Sequence, residues 1–272
     1  MQQIWKLLAF INHPIRNYFL AAASAVMLAS CGGGGVPHWV GTKQMGVAGH
    51  DTYGISVATD ANGNVYVTGL TNGGLDGNTL TGNYDFFVTK YNSSGVKQYT
   101  RQMGVAEQDT VGRSVATDAN GNVYVAGFTY GGLDGNTLTG TVDSFITKYN
   151  SSGVKQYTRQ MGVAGKSTEG LSVATDVNGN VYVAGSTRGG LDLNTLTGTS
   201  DFFFTKYDIS GVKQYTRQLG VAGLYTQGQS AATDANGNVY VAGYTYGGLD
   251  GNTLTGTLDS FVTKYNSSGV KQ

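Results

Sequence analysis

Short runs of alternating apolar and polar residues recur along the chain and end at turn-forming residues. In the first group, the run GISVATD at 54–60 stops at Ala61-Asn62-Gly63, and NVYVT follows at 64–68. Asn-Gly between strand-like runs favours a hairpin, because glycine adopts the positive φ of a tight turn without steric cost. Two more runs, DFFVTKY at 85–91 and VKQYTRQ at 96–102, flank the turn NSSG. The pattern lacks amphipathic-helix spacing and predicts a four-stranded antiparallel meander, strands a to d, with a longer b–c loop over 72–84.

This meander occurs four times with a period of 58 residues. Strand b is apolar on both faces, since Val65 and Val67 point one way and Tyr66 the other. A sheet that is apolar on both faces must be covered on both. The predicted fold is therefore all-β, a β-propeller of four four-stranded antiparallel blades with strand a innermost. The string DxNGNVYV begins at Asp60, Asp118, Asp176 and Asp234, and TKY begins at Thr89, Thr147, Thr205 and Thr263.

Two separate signatures carry a family resemblance. The run GISVATDANGNVYVTG, followed by DFFVTKYNSSG, resembles the bacterial SBBP β-propeller repeat, and the resemblance covers residues 41–272. It implies blade-like sheets in an exported or surface protein and supplies no catalytic residues. The four units differ from larger propellers of six to eight blades.

The two ends of the repeat array suggest how the ring closes. The sequence reaches Val270-Lys271-Gln272 where strand d of the fourth blade begins, and Met45 aligns with Met103 at the end of a strand d. We therefore expect segment 38–45 to complete the last blade and to close the ring. Two alternatives stay open: four blades of a longer array, or two chains that form an eight-bladed ring.

The composition supports a folded protein and excludes several classes. Of 272 residues, 43 are Gly, while only 12% are charged and 40% are hydrophobic. That apolar content can offset the entropy of ordering the chain, which argues against disorder. Two Pro without a G-X-Y period exclude collagen. A formal net charge of zero gives no electrostatic attraction for nucleic acid.

The N-terminal residues predict export. Lys6 and Arg16 precede an uncharged stretch at 17–30, too short to span a bilayer but typical of a secretory signal. Its end, Leu28-Ala29-Ser30-Cys31, resembles the bacterial lipobox, which implies a lipid on Cys31. Gly32 in place of Asp favours the outer membrane by the same resemblance. The expected organisation is a lipoprotein signal peptide at 1–30, a lipidated Cys and Gly-rich tether at 31–37, and the propeller at 38–272. A coincidental Cys after an ordinary cleavage site is the alternative.

Differences among the four copies concentrate at one end of the predicted ring. They fall in the d–a loops, after strand b, and inside strand a, and all of these map to the rim at the channel mouth. Because binding residues usually lie in loops on a rigid scaffold, this rim is the candidate recognition face. Drift of tolerant loops after duplication would give the same pattern. The candidate residues are His50, Asp51, Tyr53, Glu107, Asp109, Arg113, Tyr130, Lys166, Glu169, Arg188, Tyr225, Gln227 and Tyr246.

Two motifs raise the question of calcium, because Asp and Asn oxygens suit a hard cation. The Asp-x-Asn-Gly-Asn strings lack the glycine position and the distal Glu of an EF-hand loop, so we interpret them as hairpin turns capped by their own Asp. The loop Gly73–Leu80 faintly resembles a calcium-binding nonapeptide but lacks its nine-residue tandem period. We predict no metal and no cofactor.

Catalytic candidates are few. His38 and His50 are the only imidazoles after processing, and no G-x-S-x-G motif is present. His50 with Asp51 could act as an acid–base pair, and Glu107 with Glu169 could act as a glycosidase pair at the mouth.

The predicted function is therefore a non-enzymatic, lipid-anchored binding or scaffold module at the bacterial cell envelope. The alternatives are a carbohydrate-binding surface protein, in which Tyr side chains stack on sugar rings, or a glycoside-cleaving enzyme. The expected partner is an unknown protein or glycan, the membrane is reached through the lipid, and the chain is expected to be a monomer without nucleic acid.

Overall fold

The computed structural model describes residues 38–272, which form fifteen strands in four antiparallel sheets. Each sheet is one blade, and its strands follow one another in chain order. Blade 1 contains β1 (Thr52–Thr59), β2 (Val65–Thr71), β3 (Asp85–Tyr91) and β4 (Lys97–Met103); blade 2 contains β5 (Thr110–Thr117), β6 (Val123–Thr129), β7 (Asp143–Tyr149) and β8 (Lys155–Met161); blade 3 contains β9 (Thr168–Thr175), β10 (Val181–Thr187), β11 (Asp201–Tyr207) and β12 (Lys213–Leu219); blade 4 contains β13 (Thr226–Thr233), β14 (Val239–Thr245) and β15 (Asp259–Tyr265). The all-β, four-bladed prediction is confirmed.

The a–b turns are held by their own aspartates. Asp60 Oδ1 accepts hydrogen bonds from the backbone N–H groups of Asn62 and Asn64, and Asp60 Oδ2 accepts one from Tyr66 Oη at 2.9 Å. Gly63 adopts a φ of 75°, the left-handed conformation that the turn requires. The interpretation of Asp-x-Asn-Gly-Asn as a capped hairpin is therefore confirmed. The bond to the tyrosine also ties the turn to strand b.

Consecutive blades share apolar cores. Tyr66, Phe86 and Val88 of blade 1 form one buried cluster with Val115 and its neighbours in blade 2. Equivalent clusters join blade 2 to blade 3 and blade 3 to blade 4. Each fully buried Val or Phe side chain stabilises the fold by roughly 1.5–3 kcal/mol. Most of the core therefore lies between sheets, as the two-sided apolar pattern of strand b predicts.

The same hydrogen bonds recur at each interface between blades. Ser56 Oγ accepts from the backbone N–H of Val115 at 3.3 Å, and Arg101 Nε donates to the carbonyl of Gly153 at 2.7 Å. Lys90 Nζ donates to the carbonyl of Ser151 at 2.9 Å. Equivalent groups 58 and 116 residues later make the same bonds. One docking geometry is thus used three times.

The predicted closing strand does not form. The fourth sheet has three strands, and only Lys271 and Gln272 begin a fourth, by pairing with Tyr265 and Lys264. Segment 38–46 lies instead on blade 1, where Trp39 packs edge-on against Tyr91 with ring centroids 5.6 Å apart. Within residues 38–272, β13 does not pack against β1 as β5 packs against β1. The physical reason is the way in which each blade docks on the next. The same docking geometry, used three times, does not bring blade 4 against blade 1.

Replacing Val88 by Ala should lower the free energy of unfolding by about 2 kcal/mol, because a buried side chain between blades is lost and a cavity remains. Val88 is fully buried, whereas Val96, in the c–d turn, is 57% exposed. The matched change Val96→Ala should stay within about 0.5 kcal/mol of the parent protein. Urea unfolding followed by circular dichroism measures both, and equal effects would contradict this account of the core.

Candidate functional site

A β-bulge interrupts strand a in every blade, near the rim at which the d–a and b–c loops lie. In blade 2, Gly112 pairs with Gly127 and Ser114 pairs with Ala126, so Arg113 is the extra residue. Ile55, Leu171 and Gln229 occupy the same place in the other blades. A bulge kinks the strand and re-aims a side chain. The residue of strand a that differs among the four blades is therefore the extra residue of the bulge.

The bulge depends on a glycine in strand b. A Cβ on Gly127 would lie 1.8 Å from the carbonyl oxygen of Val111, which the bulge brings over strand b. The equivalent distances at Gly69, Gly185 and Gly243 are 1.7, 1.8 and 1.9 Å. No other residue fits there. The invariant glycines thus maintain the geometry that presents the variable residues.

Cross-strand pairing adds site residues that the sequence analysis missed. Glu169 pairs with Ser186, and Gln227 pairs with Tyr244. Leu70 and Phe128 hold the same position in blades 1 and 2. A signal was available, because the residue after the strand b glycine differs in all four copies. Only the strand register shows that this residue of strand b pairs with a variable residue of strand a.

One set of these residues forms what we call the mouth cluster, contributed by blades 2, 3 and 4. Burial lowers the pKa of Arg113, and nearby Glu169 partly opposes this. Burial raises the pKa of Tyr130 and of Tyr225, and Glu169 adds to both shifts. Glu169 of blade 3 therefore lies within electrostatic reach of Arg113 and Tyr130 of blade 2 and of Tyr225 of blade 4. The mouth cluster comprises Arg113, Tyr130, Glu169, Tyr225, Gln227, Tyr244 and Tyr246.

Three tyrosines give the mouth cluster an aromatic surface. The rings of Tyr225 and Tyr244 stack with centroids 6.0 Å apart, and Tyr246 meets both edge-on at 6.2 and 6.3 Å. Gln227 Oε1 accepts hydrogen bonds from the hydroxyls of Tyr225 and Tyr244. Two rings are thus fixed by hydrogen bonds, while Tyr246 is 47% exposed. A fixed, partly exposed aromatic surface can stack on a flat apolar face of a ligand.

Polar groups beside this surface have hydrogen-bonding capacity left. The buried Nε of Arg113 has no hydrogen-bond partner within residues 38–272. Glu169 Oε1 accepts from Ser167 Oγ at 3.2 Å. Arg188 is exposed on the rim, and its charge opposes the rise in the pKa of Tyr225. A cation and an anion therefore flank the tyrosines.

A second part of the rim lies between blades 1 and 2. Burial raises the pKa of Tyr84, and Tyr53, Asp51 and Asp109 add to the rise. Asp109 Oδ1 is buried without a hydrogen-bond partner among the described residues, and burial raises the pKa of its carboxyl. Asp51 and Tyr53 are exposed. This region is acidic and holds fewer aromatic rings than the mouth cluster.

Other candidates remain outside both groups. His50 is exposed and lies against Gly73, while Lys166 is an exposed turn residue. Glu107 is exposed at a turn position with a φ of 61°, whereas Glu169 is half-buried in the mouth cluster. The structure thus gives Glu107 and Glu169 different surroundings and shows no shared site for them.

The Gly73–Leu80 loop uses its aspartate internally. Asp76 pairs with Lys97 Nζ and accepts a hydrogen bond from Thr100 Oγ1. An ammonium group thus neutralises the carboxylate that a calcium ion would need. Within the described chain, no group of three or more His, Cys, Asp or Glu side chains is arranged to hold a metal. A concavity of about 440 Å³ beside this loop is lined by Asp76 and by residues of the outer strand, such as Arg101.

Four segments of the chain, one for each blade, match a known family of repeats. Segments 40–76, 98–134, 156–192 and 214–250 match the SBBP beta-propeller repeat and together make up more than half of the chain. The chain belongs to the SBBP beta-propeller repeat family. Each matched segment of this SBBP protein runs from a strand d position through strands a and b, and the first begins in segment 38–46.

Two curated relatives are much longer than this chain. It is 31% identical over 178 residues to the regulatory protein FlaEY of Caulobacter vibrioides, covering 59% of this chain and 18% of that protein. It is 27% identical over 214 residues to a WD repeat-containing protein of Acanthamoeba polyphaga mimivirus, covering 58% of this chain and 15% of that protein. The SBBP chain thus spans less than a fifth of either relative.

Solved structures with similar folds have low sequence identity. A protein of unknown function from Bacteroides caccae is 12% identical with a TM-score of 0.40, and 83% of each chain is covered. An ulvan lyase is 14% identical with a TM-score of 0.42, covering 79% of this chain and 56% of the lyase. At these values the likeness carries no argument about function.

Two further observations bear on the predicted location. Within residues 38–272, no helix is long and apolar enough to cross a membrane. The predicted signal peptide, Cys31 and the Gly-rich tether lie outside the described residues.

Replacing Asp109 by Asn should stabilise the protein at pH 7 by up to about 1 kcal/mol, allowing for the partial exposure of the residue. The folded-state pKa is raised, so the native state binds the proton more tightly than the unfolded chain. The contribution of Asp109 to stability is then fully present below the unfolded pKa of about 3.9 and is lost as the pH rises through the window up to the raised folded value. The gain from Asn should therefore vanish below pH ~3.9. Thermal unfolding at both pH values measures it, with exposed Asp51→Asn as the control; a gain independent of pH would contradict the argument.

Proposed function

We propose that this SBBP protein is a non-enzymatic binding module that holds its ligand at the mouth cluster. One observation carries the proposal: differing positions of blades 2, 3 and 4 come together in the mouth cluster, which is an aromatic and charged surface. The scaffold beneath them is constant, since the bulge, its glycine and the capped turns recur in each blade. Differing residues of strand a also pair with differing residues of strand b, as Glu169 pairs with Ser186 and Gln227 with Tyr244.

A carbohydrate is the ligand class that the mouth cluster favours. Sugar rings stack on exposed aromatic faces, and their hydroxyls need donors and acceptors at the edge of the stack. Tyr246 supplies the exposed ring, Arg188 supplies exposed donors, and Glu169 supplies an acceptor. The arrangement holds a ligand without placing two carboxylates on opposite sides of a bond, which glycoside cleavage requires.

Tyr246→Ala should weaken glycan binding by about five- to thirtyfold, because a stacking contact worth about 1–2 kcal/mol is lost. Tyr246→Phe keeps the ring and should retain most of the affinity. Residues 38–272, which contain the three inter-blade cores, would be applied to a glycan array and followed by calorimetry. Val154→Ala, an exposed change in a c–d turn, is the matched control. Binding that survives Tyr246→Ala unchanged, or no binding to any glycan, would refute the carbohydrate proposal.

An enzymatic role makes a different prediction. Turnover of chromogenic glycosides that is lost in Glu169→Gln, and retained in the exposed Asp51→Asn, would overturn the non-enzymatic assignment. The same assay on Glu107→Gln tests the glycosidase pair directly.

We also propose that the chain is exported and attached to the cell envelope through a lipid on Cys31. The lipobox-like residues 28–31 and the four glycines after them support this proposal. In a bacterial host, Cys31→Ser should move the protein from the membrane pellet to the soluble fraction, because one lipid-bearing residue supplies the attachment. Incorporation of an alkyne-labelled fatty acid should be lost as well. Fractionation and labelling that are unchanged by the substitution would contradict the anchor, and Gly34→Ala, outside the lipobox-like residues, serves as the neighbouring control.

A further inference from the structure

The two terminal blades each leave an apolar face exposed. On blade 1, Val57 is 63% exposed, while Val115 at the same place in blade 2 is 5% exposed. On blade 4, Val262 is 72% exposed, while Val88 at the same place in blade 1 is fully buried. We call these the leading face of blade 1 (Val57, Val65, Val67) and the trailing face of blade 4 (Tyr240, Ala242, Val262, Lys264).

The two faces are complementary, because the structure contains their contact three times. At each internal interface, the trailing face of one blade packs on the leading face of the next, as Val88 and Val115 do in one cluster. The polar groups match too. Ser230 Oγ and Lys264 Nζ of blade 4 are equivalent to Ser56 and Lys90, which bond to the following blade. On blade 1, the backbone N–H of Val57 is the expected donor to Ser230 Oγ. The carbonyl of Ser93 is the expected acceptor for Lys264 Nζ.

Segment 38–46 already occupies the place of a strand d that belongs to a preceding blade. Met45 Sδ accepts a hydrogen bond from Thr89 Oγ1 at 3.3 Å, just as Met161, at the end of β8, accepts one from Thr205 of blade 3 at 3.5 Å. Residues 42–45, TKQM, also match the sequence TRQM at 100–103 in β4. A blade placed before blade 1 would therefore find part of its outer strand in position.

We propose that a second copy of this chain covers both faces. Two chains join head to tail, so that blade 4 of each packs on blade 1 of the other and β15 pairs with segment 42–45 of the other chain. Head-to-tail contacts either close into a ring or continue as a filament, and two copies are the smallest ring that buries all four faces. A single chain does not close, since β13 and β1 do not pack together within the described residues. This inference is independent of the ligand proposed above.

The solution mass tests the ring. Residues 38–272, and the full chain in mild detergent, should sediment as a dimer at micromolar concentration, and Val262→Lys should give a folded monomer because a buried charge opposes the contact. Val96→Lys, at an exposed position outside both faces, should leave the dimer intact. Circular dichroism checks that both variants fold. A monomeric parent protein, or a continuous series of larger species, would overturn the proposal.

Disulfide trapping distinguishes closure between chains from closure within one chain. The full chain carrying Val57→Cys is mixed under oxidising conditions with a full chain carrying Val262→Cys, each also with Cys31→Ser. A covalent dimer between the two single variants is the expected product. The double variant Val57→Cys with Val262→Cys should likewise cross-link between chains. An intrachain disulfide in the double variant, or no covalent dimer in the mixture, would refute the proposal.

Discussion

Every other feature of this SBBP protein depends on one constraint, the two-sided apolar character of each blade. Tyr66 and Val88 face one neighbour while Val65 and Val67 face the other side, so no blade can bury its apolar residues alone. Docking to a neighbour removes one face from water and leaves the next face to be covered. The repeated hydrogen bonds from Ser56, Lys90 and their equivalents then orient each blade on the next. The array is a consequence of that incomplete burial.

The same constraint helps to explain why variation concentrates at one rim. Residues between blades are held by packing on both sides, and the a–b turns are held by buried or half-buried aspartates such as Asp118. Residues in the d–a loops and just after strand b, such as Asp51 and Arg188, are more exposed. The bulge opposite Gly127 places Arg113, a residue of the innermost strand, near that more exposed region. A rigid scaffold and a variable surface thus arise within one 58-residue unit.

The proposed function depends on how the rim groups meet rather than on any single residue. Arg113, Glu169 and Tyr225 come from three different blades, and each alone is an ordinary surface residue type. Burial shifts the pKa values of Arg113 and Tyr225, and the charge of Glu169 acts on both. The buried Nε of Arg113 has no hydrogen-bond partner within residues 38–272. A binding role needs only this arrangement. Catalysis would need opposed reactive groups, and Glu107 and Glu169 occupy different surroundings.

The sequence by itself determined the local features: the period of 58, the strands, the capped turns at Asp60 and its equivalents, and the variable rim. These depend on neighbouring residues and on alternation within a strand, so they can be deduced from a single chain. The tertiary structure decided which rim residues meet, where segment 38–46 lies, and that blades 1 and 4 keep exposed faces. Those features depend on strand register and on the angle between docked blades, which arise from packing between residues far apart in the chain.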